Sequence, residues 1–273
     1  MTISSSRSPL RAVIFDWAGT TVDYGCFAPV TVFVEVFGQR GVPITVEQAR
    51  APMGLAKRDH IRAIAAMPPV AEAWRTRHGR DWTEADIDAM FQDSVPLQMS
   101  VLLNHADVIP GVAEATAACR ARGLKIGSTT GYSRPLMEAL VPVAARNGYQ
   151  PDAWLCPSDV PAGRPAPYMV YLNAIRLQAY PMAALVKVGD TVPDIEEGLN
   201  AAMWTVGVAK TGNELGLSRA EAEALPPEEL RRRVQPIYER LMAAGAHYVI
   251  DSIADLLPVL DDIEGRLARG ERP

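Results

Sequence analysis

The chain has 273 residues, 48% of them apolar, and a formal net charge of −5 at pH 7. That is enough for one large domain or two smaller ones around a packed core. The acidic balance lacks the basic footprint of nucleic-acid-binding domains, so no nucleic-acid partner is expected. The one arginine run, Arg231 to Arg233, sits among Glu228, Glu229 and Glu239 and reads as a solvated helix face. No apolar run reaches the roughly 18 residues of a membrane span, so no membrane partner is expected. The cysteines Cys26, Cys119 and Cys156 have neither metal-ligand spacing nor an even count, which fits a reducing, cytoplasmic setting. The Ser-rich start, with Arg7 and Arg11, has no apolar stretch of the signal-peptide kind before the first strand.

The first β-branched run is Ala12–Phe15, and Asp16 ends it. Thr45-Val46-Glu47-Gln48 then fits a capping box that opens a helix. Pro52 interrupts it, helical spacing resumes over Met53–Met67 until Pro68-Pro69, and Thr83–Met99 predicts another helix. Beyond these, short apolar runs at Leu124–Gly127, Ala153–Cys156, Leu185–Val188, Met203–Val208 and Tyr248–Ile250 predict strands. Helical patterns at Val112–Arg122, Pro135–Asn147, Tyr168–Leu177, Asp194–Ala202 and Pro227–Ala244 lie between or around them. Such alternation predicts an α/β fold, a Rossmann-like, doubly wound parallel sheet with helices on both faces. The charged tail, Gly265–Pro273, is expected to fray.

One interval breaks the rhythm. About a hundred residues separate Asp16 from Gly127, where a βα crossover takes about thirty. The excess predicts an inserted α-helical cap domain at residues 25–104, with the catalytic core at 1–24 and 105–273. Its hinges are expected near Asp23–Ala28 and Leu102–Pro110, and a domain so placed commonly closes over a site to exclude water.

Four chemically loaded segments follow strands. They are Asp16; Ser128-Thr129-Thr130-Gly131; Arg164 in Pro161-Ala162-Gly163-Arg164-Pro165; and Gly189-Asp190-Thr191-Val192-Pro193-Asp194. Parallel strands bring these ends to one edge of the sheet. Singly, each has a plainer reading: Asp16 as a helix cap, Thr130 and Gly189-Asp190 as turn residues, Asp194 as a first-turn helix acid, Arg164 as a surface residue. Together they supply what phosphoryl transfer needs: a nucleophile, donors and a cation for phosphate oxygens, and acids for Mg²⁺. Asp16 and Asp190 are the natural pair for Mg²⁺, completed by water and a backbone carbonyl.

The order Asp16-Trp-Ala-Gly-Thr20, a Ser/Thr at a strand end, a basic residue before Pro165, then Gly-Asp190-xxx-Asp194 resembles the haloacid dehalogenase superfamily. In that superfamily the first Asp becomes an aspartyl-phosphate, most phosphatases carry a second Asp two residues later, and most members use Lys at the third motif. This chain has Ala18 and Arg164 at those places. Both departures, with Pro52-Met53-Gly54-Leu55-x-Lys57-x-x-His60, Gly127-Ser-Thr-Thr-Gly-Tyr132, Asp159-Val-Pro-Ala-Gly-Arg-Pro165 and Val188-Gly-Asp-Thr191, resemble the phosphonoacetaldehyde hydrolase (phosphonatase) family. The resemblance runs from about Arg11 to the last helices.

The resemblance implies cleavage of the carbon–phosphorus bond of phosphonoacetaldehyde, giving acetaldehyde and phosphate. Losing a positioned acid costs about 3–5 kcal/mol of barrier, so Ala18 demands another way to stabilise the leaving group. A lysine amine condenses with an aldehyde to an imine, an electron sink for the breaking bond. On helical spacing Met53, Lys57 and His60 share one face, at i, i+4 and i+7. To react near neutrality, Lys57 must be brought down by about 4–5 kcal/mol of differential stabilisation. Taken alone, Lys57 would be a surface lysine, His60 a solvated helix histidine and Met53 core packing.

By resemblance, Lys57 captures the aldehyde in a site shaped by Met53, His60 and Tyr132, with His60 a proton shuttle. Asp16 attacks phosphorus, Arg164 and Thr130 bind phosphoryl oxygens, and Gly19 and Thr20 help. Mg²⁺ sits on Asp16, the Ala18 carbonyl and Asp190, with Asp194 in the outer shell. A homodimer is implied too. Two other readings compete: a phosphate-ester phosphatase or phosphomutase of the same superfamily, against which Ala18 argues, and a non-catalytic phospho-ligand-binding relative, against which Asp16 and Lys57 argue.

Overall fold

A computed structural model describes residues 8–273, so the first seven residues of the expected core segment lie outside the described residues. The six strands are β1 (Ala12–Phe15), β2 (Lys125–Thr129), β3 (Ala153–Leu155), β4 (Leu185–Gly189), β5 (Trp204–Val208) and β6 (Tyr248–Ile250). They form one sheet in the order β3-β2-β1-β4-β5-β6, and every pair is parallel. Every residue of β1 is buried because both faces of the sheet are covered. Val13 and Phe15 face one apolar cluster, while Ala12 and Ile14 face another.

Between β1 and β2 the chain builds α1 (Phe27–Gln39), α2 (Val46–Arg50), α3 (Lys57–Ala65), α4 (Pro68–His78) and α5 (Glu84–Leu102). These helices close on an apolar cluster of their own, centred on Phe33, Phe37, Ile61, Ile64, Trp74 and Met90. The remaining helices are α6 (Val112–Ala121), α7 (Arg134–Arg146), α8 (Tyr168–Leu177), α9 (Val192–Asn200), α10 (Arg219–Ala224), α11 (Pro227–Ala243) and α12 (Leu256–Ala268). No helix among the described residues is long and apolar enough to cross a membrane.

The boundaries depart from the sequence reading where local chemistry outweighs periodicity. Thr45 and Gln48 form the capping box of α2, but Met53 lies in a turn and the next helix starts only at Lys57. Met53 therefore does not share a helix face with Lys57 and His60. The expected stop before the prolines holds, with α3 ending at Ala65, and Pro68 also opens α4, since proline at the first helical position loses no needed N–H. The tail is tied down more than charge suggested: α12 runs to Ala268, and Arg266 and Arg269 both bind Glu271.

Two linkers join the inserted helices to the sheet, and they run side by side. Val22 bridges Val108 in antiparallel fashion, and the Ile109 amide donates to the Thr21 carbonyl at 2.9 Å. The Asp23 carboxylate accepts from the amides of Phe27 (3.0 Å) and Ala28 (2.9 Å), capping the start of α1.

The turn before α3 meets the sheet edge through two glycines. A Cβ on Gly54, whose φ is +95°, would lie 2.2 Å from Thr191 Oγ1; one on Gly131 would lie 2.4 Å from the Leu55 carbonyl oxygen. Only residues without side chains allow these approaches, of Gly54 to the Thr191 side chain and of Gly131 to the Leu55 backbone. Gly54→Ala is expected to cost about 1–3 kcal/mol of strain at that φ and to lift the inserted helices off the sheet edge. Limited proteolysis of the linkers would register this as faster cleavage than in the wild type; equal rates would contradict the docking role.

Candidate active site

The register of the sheet assembles the site. Phe15 pairs with Ser128 of β2 on one side and Val188 of β4 on the other. The following residues, Asp16, Thr129-Thr130 and Gly189-Asp190, therefore emerge at one edge. The loop after β1 is folded tightly: the amides of Thr20, Thr21 and Val22 all donate to the Trp17 carbonyl. Trp17 is fully buried, donates its indole N–H to Ser128 Oγ at 2.8 Å, and meets Tyr149 edge-on at 5.1 Å. Gly19, at φ +85°, leaves room for Asp190, whose Oδ2 would be 2.5 Å from a Cβ there.

A buried ion network holds the acids. Arg164 donates to Asp16 at 2.6 Å and pairs with Asp194 at 2.9 Å and Glu197 at 3.1 Å. Lys187, in the middle of β4, pairs with Asp194 at 2.6 Å and Glu197 at 3.4 Å. Thr129 Oγ1 accepts from Arg164 at 2.8 Å and donates to Glu197 at 2.9 Å. Asp190 accepts from Thr20 Oγ1 at 3.1 Å and from the Asn213 amide at 2.7 Å. Burial raises the Asp16 carboxyl above its ordinary range, opposed by Arg164 and reinforced by Asp194. Asp190 is pushed up strongly, by burial first and then by Asp16 and Asp194. Asp194 falls below the ordinary value: burial, which raises it, is outweighed by Arg164 and Lys187.

The donor set suits a divalent cation. Asp16, Asp190 and Asp194 each offer a carboxylate oxygen, all within 4.8 Å of one another. With Glu197 they make four buried acids against the buried pair Arg164 and Lys187, which leaves two negative charges to balance, and hard oxygen ligands match Mg²⁺ chemistry. Asp194 already spends its oxygens on Arg164, Lys187 and Thr191. Asp16 and Asp190 are the freer pair.

Across from the acids sits Lys57, the first residue of α3. Its ammonium nitrogen lies over the rings of Tyr132 (4.7 Å) and Phe33 (5.6 Å). Burial lowers its pKa from 10.5, opposed chiefly by Cys26 and Asp16 and assisted by Arg164. A cavity of about 20 Å³, room for little more than a water, is lined by Asp16, Ala18, Met53, Lys57, Thr130, Tyr132, Arg164 and Asp190, together with Cys26, Gly54, Gly131 and Thr191. Thr130 Oγ1 accepts from the Tyr132 amide at 3.1 Å, which leaves its hydroxyl proton to donate into the cavity.

Four of the residues singled out from the sequence do not line this cavity. Thr20 and Gly19 support Asp190 from behind, and Asp194 sits within the ion network. His60 follows Lys57 by one turn of α3, stacked on Phe33 at 3.9 Å with Nε2 at 2.8 Å from the Ala49 carbonyl. Burial and the neighbouring Lys57 push its pKa well below the usual 6.5, so the ring is neutral and donates to Ala49. Sequence reasoning gave no site role to Cys26, Thr191, Lys187 or Glu197. Lys187 carried a signal, a lone charge inside the apolar run Leu185–Val188; Glu197 carried one too, three residues after Asp194 on the same helix face.

The lowered Lys57 pKa has a sign that can be measured. Reductive methylation of this amine, followed by mass spectrometry across pH, should reach half-maximal rate below the ordinary lysine value of 10.5. A midpoint at or above that value would contradict the burial argument.

The chain is similar over nearly its whole length to proteins of one kind. The haloacid dehalogenase-like hydrolase family model matches residues 10–202. A phosphonoacetaldehyde hydrolase-like protein of Syntrophobacter fumaroxidans is 54% identical over 267 residues, 98% of this chain and 96% of that one. A phosphonoacetaldehyde hydrolase of Paraburkholderia xenovorans is 51% identical over 97% of this chain and 99% of its own. The crystal structure of a phosphonoacetaldehyde hydrolase-like protein from Oleispira antarctica superposes with a TM-score of 0.96 at 42% identity, covering 98% of this chain and 97% of that one. With its sheet order and its edge of acids, the chain belongs to the haloacid dehalogenase-like hydrolases, and within them to the phosphonoacetaldehyde hydrolase family.

Proposed function

We propose that this hydrolase cleaves the carbon–phosphorus bond of phosphonoacetaldehyde, through an imine on Lys57 and an aspartyl-phosphate on Asp16. One observation carries the reading. A buried lysine with a lowered pKa shares a cavity with Asp16 and Arg164, and Ala18 stands where an ester phosphatase would hold its acid. An alkoxide leaving from phosphorus would find no acid at position 18. A carbon leaving group needs an electron sink instead, and an iminium on Lys57 is one.

The residues divide the work as follows. The neutral Lys57 amine adds to the aldehyde, and the carbinolamine takes up a proton and loses water, leaving an iminium under the rings of Tyr132 and Phe33. An Asp16 carboxylate oxygen then forms its bond to phosphorus as the carbon–phosphorus bond breaks. The released electron pair moves into the iminium, giving an enamine on Lys57. Arg164 and the Thr130 hydroxyl stabilise charge on the phosphoryl oxygens, and Met53 and Tyr132 wall the aldehyde end. Protonation of the enamine carbon and hydrolysis free acetaldehyde and Lys57; a second water releases phosphate from Asp16. Mg²⁺ held by Asp16, the Ala18 carbonyl and Asp190 would neutralise phosphonate charge and keep the nucleophile ionised. His60, one turn along α3 from Lys57, is held through Nε2 by the Ala49 carbonyl.

Residues 25–104 act in this reading as a cap that opens for substrate, since the closed cavity has no room for it, and shuts water out of the imine's surroundings. Arrangement as a homodimer and residence in the cytoplasm belong to the same reading.

Assaying acetaldehyde and phosphate together tests it. Wild-type protein with Mg²⁺ should release both in equal amounts from phosphonoacetaldehyde. Lys57→Arg keeps the charge but cannot form an imine, so turnover should fall by about 10⁴-fold or more, to background. Near-normal turnover in that variant would refute the role of Lys57.

A further inference from the structure

Asp190 is held by a loop that the inserted helices hold in turn. After β5 the chain crosses the sheet edge at Thr211–Gly216, and the Asn213 amide donates to Asp190 Oδ2 at 2.7 Å. Gly212 lies so close that a Cβ there would be 2.5 Å from the Asp190 Cβ. The same loop anchors both linker and inserted helices. The Gly25 amide donates to the Thr211 carbonyl at 2.8 Å, and Thr211 Oγ1 donates to the Gly19 carbonyl at 2.7 Å.

Arg50, the last residue of α2, closes this assembly. One guanidinium nitrogen donates to the Gly25 carbonyl at 2.8 Å and to Asn213 at both its carbonyl (3.0 Å) and its Oδ1 (3.1 Å). The other reaches the Gly216 carbonyl at 3.4 Å. Asn213 answers with its amide NH₂, which donates to the Arg50 carbonyl at 3.2 Å. The guanidinium also lies 5.3 Å from the centre of the Phe27 ring. All four acceptors are amide oxygens, spread over the first linker and the loop after β5 that holds Asp190. A planar five-donor fork can span them; a point charge cannot.

We propose that Arg50 is a positioning residue that couples closure of the cap to readiness of the metal site. With the cap shut, Arg50 fixes Asn213, and the Asn213 amide fixes Asp190 for a divalent cation. With the cap lifted, Arg50 leaves the loop and Asp190 loses its orientation. The inference rests on the reading of Asp190 as a cation ligand. Its consequence is an ordered site: the cation is held most tightly in the closed form, the one in which Lys57 and Asp16 share a cavity.

Calorimetric titration of the full chain with MgCl₂, without substrate, tests the coupling independently of turnover. Arg50→Ala should weaken Mg²⁺ binding about tenfold, the effect of losing one hydrogen bond to a charged group. Asn213→Ala keeps the backbone N–H to Asp190 but cuts two contacts to Arg50; it should weaken binding in the same direction and decides the matter alone if Arg50→Ala fails to fold. Asp190→Asn is the control for the underlying reading. Lost binding in Asp190→Asn with wild-type affinity in the two latch variants would overturn the coupling alone. Wild-type affinity in Asp190→Asn would overturn the ligand assignment, and the coupling with it.

Discussion

Arg164 is the constraint on which the site depends. Its guanidinium lies between Asp16, Asp194 and Glu197, and Lys187 completes the charge pattern from the strand beneath. Four acids buried this closely repel one another. The two cations offset part of the repulsion and fix where the acids point. Buried ion pairs add little net stability; what this network provides is position. Asp16 is left ionisable beside an arginine that can follow the charge onto a phosphoryl group. Asp190 is left short of a positive charge, which a divalent cation supplies.

The opposite wall of the cavity works by the reverse principle. Lys57 is given burial in place of a close carboxylate, so its neutral form gains, while the ring faces of Tyr132 and Phe33 offer a cation there partial compensation. A shallow active site could not offer both environments within one small cavity. The inserted helices make them compatible, because they bring an apolar wall of their own down onto a polar sheet edge. Gly54 and Gly131 allow that close contact, and Arg50 ties it to the loop behind Asp190. Seen this way, Ala18 is no defect. An acid there would add a further negative charge beside Asp16 and Asp190, where two charges are already uncompensated.

Much of the core was legible because its elements are simple. The sheet strands are short, apolar and β-branched, and Tyr248–Ile250 and Tyr168–Leu177 fall where the pattern put them. The strand-end chemistry was legible for the same reason: parallel topology sends Asp16, Thr130 and Asp190 to one edge whatever the helices do. The inserted segment was read less well. Helical spacing continues through Met53–Met67, yet the chain turns there, because Gly54 takes a left-handed conformation to reach Thr191. Periodicity cannot register a close contact with a residue far along the chain. For the same reason the sequence could not show that His60 Nε2 is engaged by the Ala49 carbonyl and its ring by Phe33. The linker glycines, Lys187 and Glu197 matter through tertiary partners, which no local pattern reports.

The central claim is that Lys57 becomes covalently joined to the substrate's carbon skeleton before carbon and phosphorus part. Incubating the protein with phosphonoacetaldehyde, reducing with borohydride and mapping peptides by mass spectrometry tests this directly. The account predicts a stable two-carbon adduct on Lys57 and loss of activity in step with its formation. Phosphate release with no reduced adduct on Lys57 would contradict it.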